Sequence, residues 1–358
     1  LGVEYHYEAS FFRIWSPVAK EINLELIINN EKKIIPLEYK EYGLWEVEVS
    51  GDLEYAKYIY HVRVFDYFVR INDPYAISST ADEKYNYVID LFNLYKMKYK
   101  KPNFSGKYTD AVIYEASIRD FTATVENEYK GSFMGMVDNR ISKHKEAYGL
   151  DYIKSLGITH LQVLPIFDFG GVDAVKKDEL YNWGYNPEQF FIPAAWYSIN
   201  PDDPYSRINE LLEFVDEAHK RGIRVIMDVV FNHVYRVKDF AFENLVPGYF
   251  FRIEDDGNYC NSSGCGNVLA SEKFMASRFI NDVLCYYAKV FHISGFRFDL
   301  MGLLDIGTLN HARESLYEID DNNLNPQKDI NKNENIVVIP ETNIAFSVCF
   351  SFLYLKIE

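Results

Sequence analysis

From residue 111 to residue 339 the chain repeats one pattern. A short apolar run is followed by a turn and then by a stretch whose apolar residues recur every three or four positions. The runs at 111–114, 158–165, 223–230, 295–300 and 336–339 predict strands. The stretches at 144–156, 207–221, 274–291 and 307–319 predict helices between them. In the second of these, Ile208, Leu211, Leu212, Val215 and Ala218 share one face, and Gly222 supplies a stop. Strands joined by crossover helices pair in parallel, so this part of the chain is predicted to be an α/β sheet of about five strand–helix units.

The first hundred residues follow a different period. Segments 11–15, 22–26, 45–49 and 58–64 alternate apolar and polar residues, and Ser16-Pro17, Asn29-Asn30, Tyr42-Gly43 and Ser50-Gly51 separate them. Several short strands at this spacing predict an all-β sandwich of the immunoglobulin-like kind. A Lys-rich stretch at 96–102 reads as a linker, which divides the chain into a sandwich over 1–100 and an α/β part over 105–358. The sandwich is expected to fold apart from the rest.

Composition removes several classes of function. The chain has 358 residues, and 37 Lys and Arg stand against 53 Asp and Glu, a formal charge of −16. A groove for nucleic acid needs a basic surface, and an anionic membrane repels an acidic protein, so neither partner is expected. No uncharged apolar run approaches the ~20 residues of a membrane span. Cys260, Cys265, Cys285 and Cys349 are too few for a disulfide framework; Cys260 and Cys265 either bridge locally or stand as free thiols. The 29 Tyr and 26 Phe suit sugar-stacking surfaces and equally suit a β-rich core. No EF-hand loop or Cys/His spacing is present, so no metal and no cofactor is expected. The chain begins at Leu1 with no charged n-region or cleavage site, which sets a cytoplasmic expectation while leaving secretion open.

The last three predicted strands end in polar groups. The strand at 223–230 carries Asp228 and runs into Asn232-His233; the next carries Arg297 and Asp299; the last ends at Glu341. Ligands and chemistry gather at the C-terminal ends of strands in parallel α/β proteins. Residues two apart on a strand share a face, so Arg297 lies beside Asp299 and favours its ionised form, which a carboxylate nucleophile needs. Spacing alone leaves open a buried Arg–Asp pair with no catalytic part. His233 and Asp228, each taken singly, read equally as satisfied polar anchors.

Together these residues resemble a specific family. Asp228-Val229-Val230-Phe231-Asn232-His233 and Gly295-Phe296-Arg297-Phe298-Asp299 are similar to two consecutive sequence regions of the α-amylase superfamily, glycoside hydrolase family 13. Tyr181-Asn182-Trp183-Gly184-Tyr185-Asn186-Pro187 resembles the type I pullulanase motif, with Asn186 where that family writes Asp. Tyr114 to Thr122 is similar to the first barrel strand of that family. Residues 1–95, including Asn72-Asp73-Pro74-Tyr75-Ala76, resemble the starch-binding-type sandwich, carbohydrate-binding module family 48. The resemblance implies a TIM (β/α)8-type barrel after the sandwich and a retaining hydrolase of α-1,6 links in pullulan, starch and glycogen, with an α-glucan as partner. It implies Asp299 as nucleophile and Glu341 as general acid/base, about 5 Å apart. It further implies Arg297 as the group orienting Asp299, His233 and Tyr181 as contacts to the sugar before the cleaved bond, and Asp228 as support for Arg297. Trp183 and Tyr185 are expected to serve packing.

Two departures bear on activity. At the acid the chain has Pro340-Glu341-Thr342-Asn343 where the family writes Gly-Glu-Gly-Trp. A complete barrel needs eight units, and the late His-Asp region that supplies a second Asp has no counterpart after Glu341. The uncharged tail from Ile344 to Leu355 shows no cap or turn. These features set the expectation of a fragment, or of a gene ended early, inactive or nearly so on pullulan as written. A non-catalytic α-glucan-binding protein and an isoamylase-like debranching enzyme are the competing readings.

Overall fold

The structure is a computed structural model and describes residues 1–123, 129–137, 148–321 and 337–340. The N-terminal part is built from β1 (Gly2–Tyr5), β2 (Ala9–Trp15), β3 (Ala19–Ile28), β4 (Glu31–Pro36), β5 (Glu38–Tyr39), β6 (Leu44–Ser50), β7 (Lys57–Val64), β8 (Tyr67–Ile71) and β9 (Asn86–Tyr87). One antiparallel sheet has the order β1-β2-β6-β5; the other has β4-β3-β7-β8, with β9 pairing β7. The period-two alternation does what it predicts: Phe12 and Ile14 of β2 and Leu24 and Leu26 of β3 are buried between the sheets. The Trp15 and Trp45 strands pair with each other, Ile14 opposite Trp45.

A five-stranded parallel sheet follows, with β10 (Ile113–Ala116), β11 (His160–Val163), β14 (Arg224–Val229), β15 (Gly295–Phe298) and β16 (Val337–Pro340) in sequential order. Sequential parallel order with crossover helices is the topology of a (β/α)8-type barrel, present here in part. The five strands lie where the apolar runs place them. β11 and β14 are buried along their whole length, as expected of strands covered on both faces. The crossovers include α1 (Ile118–Thr122), α2 (Phe133–Val137), α3 (Gly149–Ser155), α4 (Ser206–Lys220), α5 (Ala241–Leu245), α6 (Phe274–Val290) and α7 (Ile306–Asp321). Of the helix predicted over 144–156, residues 144–147 lie outside the described residues; α3 covers Gly149–Ser155.

The stop predicted for α4 has a full physical account. Gly222 adopts φ 73°, its N–H donates to His219 O at 2.9 Å, and Ile223 N–H donates to Ala218 O at 3.0 Å. That is the Schellman pairing, and the left-handed residue at its centre favours glycine. Ile223 then enters β14. The sequence pattern does not announce the antiparallel hairpin of β12 (Phe167–Phe169) and β13 (Pro187–Pro193), which branches off above β11 and carries the 170–186 loop. Its residues are apolar at most positions, so no period separates it from the sheet strands.

Sandwich and barrel share an extensive buried interface. Ser16 Oγ donates to Leu245 O at 2.6 Å, and Trp15 meets Tyr249 and Phe250 edge-on. Arg207, fully buried on α4, donates to Ser79 Oγ and Ser79 O, each at 3.0 Å. Tyr75 reaches Asp282 of α6 at 3.0 Å. The Lys-rich stretch expected as a linker is docked along α4. Buried Asp216 accepts the N–H groups of Lys98 and Tyr99 at 2.9 and 2.8 Å, and the Tyr95 hydroxyl at 3.0 Å. Backbone donors held by a carboxylate fix this strap despite its charge. Cys260, Cys265 and Cys285 are unbridged. Among the described residues no helix is long and apolar enough to cross a membrane.

Two predictions follow from this packing. Asp216→Ala removes three bonds to one carboxylate and is expected to cost about 2–3 kcal/mol by chemical denaturation; trypsin then cuts at Lys98 in the variant while the wild-type strap resists. The second concerns His160 and His219, both buried. Burial lowers each imidazole to about 4, with Arg224 adding to the effect at His160 and His292 at His219. The unfolded chain therefore takes up two protons between about pH 6.5 and pH 4 that the folded chain does not. This contribution to stability is present above the unfolded value and is lost as the pH falls toward 4. Imidazole resonances of His160 and His219 that titrate near pH 6.5 in the folded protein contradict it.

Candidate active site

The parallel ladder brings the candidate residues together before any side chain is considered. Asp228 of β14 stands opposite Arg297 of β15, and Arg297 stands opposite Ile339 of β16. Register places Asp228 and Arg297 side by side on one face, and the two-residue period adds Asp299 to it. Asp299 N–H donates to Val229 O at 3.0 Å, extending the pairing past β15. Leu300 then takes a left-handed φ of 43°, uncommon for a residue with a side chain, and turns the chain away at the rim.

Arg297 is the hub. Its Nη1 donates to both oxygens of Asp228 at 2.8 Å and to Asp299 Oδ1 at 3.2 Å. The Asp228 side chain is fully buried, while those of Arg297 and Asp299 are 11% and 14% exposed. Burial raises the Asp228 carboxyl to about 7, and Arg297 and the Tyr185 hydroxyl, bonded at 2.7 Å, work against that rise. Burial alone disfavours the Arg297 charge, but Asp228, with Tyr185 and Asp299 adding to it, more than offsets this and the guanidinium is raised above its ordinary range. Asn232 donates to Asp299 Oδ2 and Asp299 O, each at 3.0 Å. Both oxygens of Asp299 thus face donors, which fixes their direction.

His233 is buried beside this group. Its Nδ1 meets the side-chain oxygen of Asn232, and its Nε2 lies 2.9 Å from Tyr185 O. Burial lowers its pKa, with Tyr185 O and Asp299 acting in the other direction. A neutral ring donates to only one of these two oxygens at a time.

The 181–187 segment forms the far wall. Gly184, at φ 99°, packs so closely on β11's exit that a Cβ there meets Pro165 O at 2.8 Å. This glycine turn sends Trp183 outward and Tyr185 inward. Asn186 accepts the N–H of Gly170 through its backbone carbonyl at 2.9 Å, so that closure does not depend on the side chain that differs from the family motif. Tyr181 lies at the outer edge, its hydroxyl donating to Asp120 at 2.6 Å and its ring edge-on to Trp196. The packing expected of Trp183 is corrected: its side chain is 61% exposed and lines the cleft. Tyr185 does more than pack, since it holds Asp228 and faces His233.

These groups open onto a cleft of about 1000 Å³, lined also by Glu115, Asp120, Ser263 and Cys265. Glu341 lies outside the described residues; β16, which leads to it, pairs directly with β15. Asn232 stands in a sequence motif with no assigned part and Tyr185 with packing only, because their bonds to Asp299 and Asp228 join elements 43 to 67 residues apart. Among the described residues no cluster of three His, Cys, Asp or Glu side chains is arranged to hold a metal.

A sandwich joined to a partial (β/α)8-type barrel with an Asp–Arg–Asp group at its C-terminal rim has the architecture of the α-amylase superfamily. The family model for the α-amylase catalytic domain matches residues 147–246, and that for carbohydrate-binding module 48, the isoamylase N-terminal domain, matches residues 1–76. A pullulanase of Bacillus subtilis is 38% identical over 320 residues, 88% of this chain and 44% of that protein. An isoamylase of Zea mays is 29% identical over 78% of this chain and 38% of its own length. The crystal structure of a pullulanase from Anoxybacillus, complexed with maltotetraose, superposes with a TM-score of 0.84 at 41% identity, over 89% of this chain and 47% of that one. Within the superfamily, the chain belongs to the type I pullulanases of glycoside hydrolase family 13. It spans less than half the length of these relatives.

Arg297→Leu leaves the Asp228 carboxyl buried without its cation and is expected to cost about 3–5 kcal/mol at pH 8. The folded variant holds Asp228 protonated, so the penalty shrinks as the pH falls toward 5. Urea denaturation of both proteins at the two pH values checks the size and the sign.

Proposed function

We propose that the cleft is the site of a debranching hydrolase that cleaves α-1,6-glucosidic bonds in pullulan, starch and glycogen with retention. The observation that carries this reading is the aimed carboxylate of Asp299. It stands at the C-terminal rim of a parallel strand, at the mouth of a large cleft, with Arg297 and Asn232 directing its two oxygens. Asp299 attacks the anomeric carbon and forms a glycosyl-enzyme, which water then hydrolyses. Glu341 is proposed as the acid that protonates the leaving oxygen and as the base that activates the water, because it follows in sequence directly on β16, which pairs with β15. His233 and Tyr185 form the floor under the sugar, and exposed Trp183 offers a ring face for stacking. The complex of the Anoxybacillus relative with maltotetraose supports an α-glucan as the ligand.

The test is product release from pullulan, followed together with maltohexaose binding. The 358-residue chain alone is expected to be inactive or nearly so on pullulan; fused to the C-terminal remainder of the Bacillus subtilis relative it is expected to release maltotriose, and to lose that release, by at least about 10³-fold, in Asp299→Asn. Trp183→Ala is expected to weaken maltohexaose binding by about five- to tenfold, in line with one lost stacking contact. In that fusion, maltohexaose binding without hydrolysis, indifferent to Asp299→Asn, favours a non-catalytic glucan-binding protein and overturns the enzymatic reading.

A further inference from the structure

We propose that Asn267 is a positioning residue for His233 and Asn232, and through them for Asp299; this rests on the reading of the cleft as a glucan site. β14 ends at Val229, so the backbone of residues 232–235 enters the site with no strand partner. A buried segment of this kind needs its peptide groups satisfied. The side chain of Asn267, 2% exposed, does this as a strand neighbour would. Its Oδ1 accepts Val234 N–H at 2.9 Å and its Nδ2 donates to Val234 O at 2.8 Å. Two residues on, Leu269 N–H donates to Asn232 O at 2.9 Å. On the other side, Tyr235 N–H donates to Pro187 O at 3.0 Å. Residues 232–235 are thus clamped from the 267–269 segment and from the 181–187 wall at once.

The amide is the one side-chain group suited to this place. Val234 presents a donor and an acceptor together, and an amide answers both. A carboxylate of the same size keeps the acceptor and sets an oxygen against Val234 O. Asn267 is itself held from its own loop, with Ser263 Oγ donating to Asn267 O at 2.6 Å. Asn267 touches neither the cleft cavity nor Asp299, so its influence passes through the backbone on both sides of His233. Displacing that backbone moves the imidazole against Tyr185 O and moves Asn232 Nδ2 against Asp299.

The experiment compares Asn267→Asp and Asn267→Ala with wild type in the full 358-residue protein. Ring-nitrogen resonances of His233 are read in histidine-labelled protein and assigned with His233→Gln. His233 resonances are expected to shift or broaden in both variants, while those of His160 and His219, at the opposite end of the strands, stay in place. A residue that only adds stability lowers the thermal midpoint and leaves His233 of the folded protein unmoved. Kinetically, in the fusion to the C-terminal remainder of the Bacillus subtilis relative, kcat on pullulan is expected to fall about 100-fold with KM within about threefold, the size of effect that a ~1 Å misplacement produces. Folded Asn267→Asp protein with unchanged His233 resonances overturns the proposal, as does loss of folding in both variants, which makes Asn267 a fold determinant. Absence of pullulan hydrolysis in the wild-type fusion counts against the debranching reading instead, and the imidazole comparison still decides the role of Asn267.

Discussion

Arg297 and Asp228 form a charge pair inside the sheet, and the rest of the site is arranged around the cost of keeping it there. Neither ion is stable in that environment alone: burial raises the carboxyl and opposes the guanidinium. Each is therefore supplied with further partners, Tyr185 for Asp228 and Asp299 for Arg297. The same bonds that satisfy the pair aim the partly buried Asp299 carboxylate into the cleft. Stability and site geometry here are one network, because the Arg297 Nη1 that holds Asp228 also donates to Asp299 at the rim.

The cleft also depends on elements far from the sheet in sequence. The hairpin of β12 and β13 carries the wall with Trp183 and Tyr185, and its base is fastened to the sandwich through Asn86 and Gln189 at 3.1 Å. Arg207 joins α4 to Ser79, and Asp216 holds the strap that connects the two parts. The apolar core runs without interruption from Phe12 and Leu24 of the sandwich to Phe279 and Leu284 of α6. The sandwich is consequently a structural support of the barrel, whatever ligand its own surface takes.

Much of this was legible in the residues. The change of period near residue 105 separates alternating strands from strand–helix units, since half-buried sheets and covered sheets impose different patterns. Gly222 marks the end of α4 because a left-handed cap needs glycine there. Asp228, His233, Arg297 and Asp299 stand out as polar groups closing apolar strands, where burial demands a partner. The five parallel strands and their order follow from these local signals, because each strand is a continuous apolar run and each crossover is long enough for a helix.

What the residues could not specify is who meets whom across the sheet and loops. Trp183 and Tyr185 are two aromatic residues in one motif; the left-handed turn at Gly184 sends one to solvent and one to Asp228. Asn232 and Asn267 are two ordinary amides until the end of β14 leaves Val234 without a neighbour and Asp299 needs a donor. The Lys-rich strap reads as free because its charge is visible in sequence and its acceptor, Asp216, lies more than a hundred residues away. Sequence determined the periods, the strand ends and the chemical types of the groups, because these are local properties. Tertiary structure alone decided the pairings, because a hydrogen bond or an ion pair depends on distances that only the packed sheet sets.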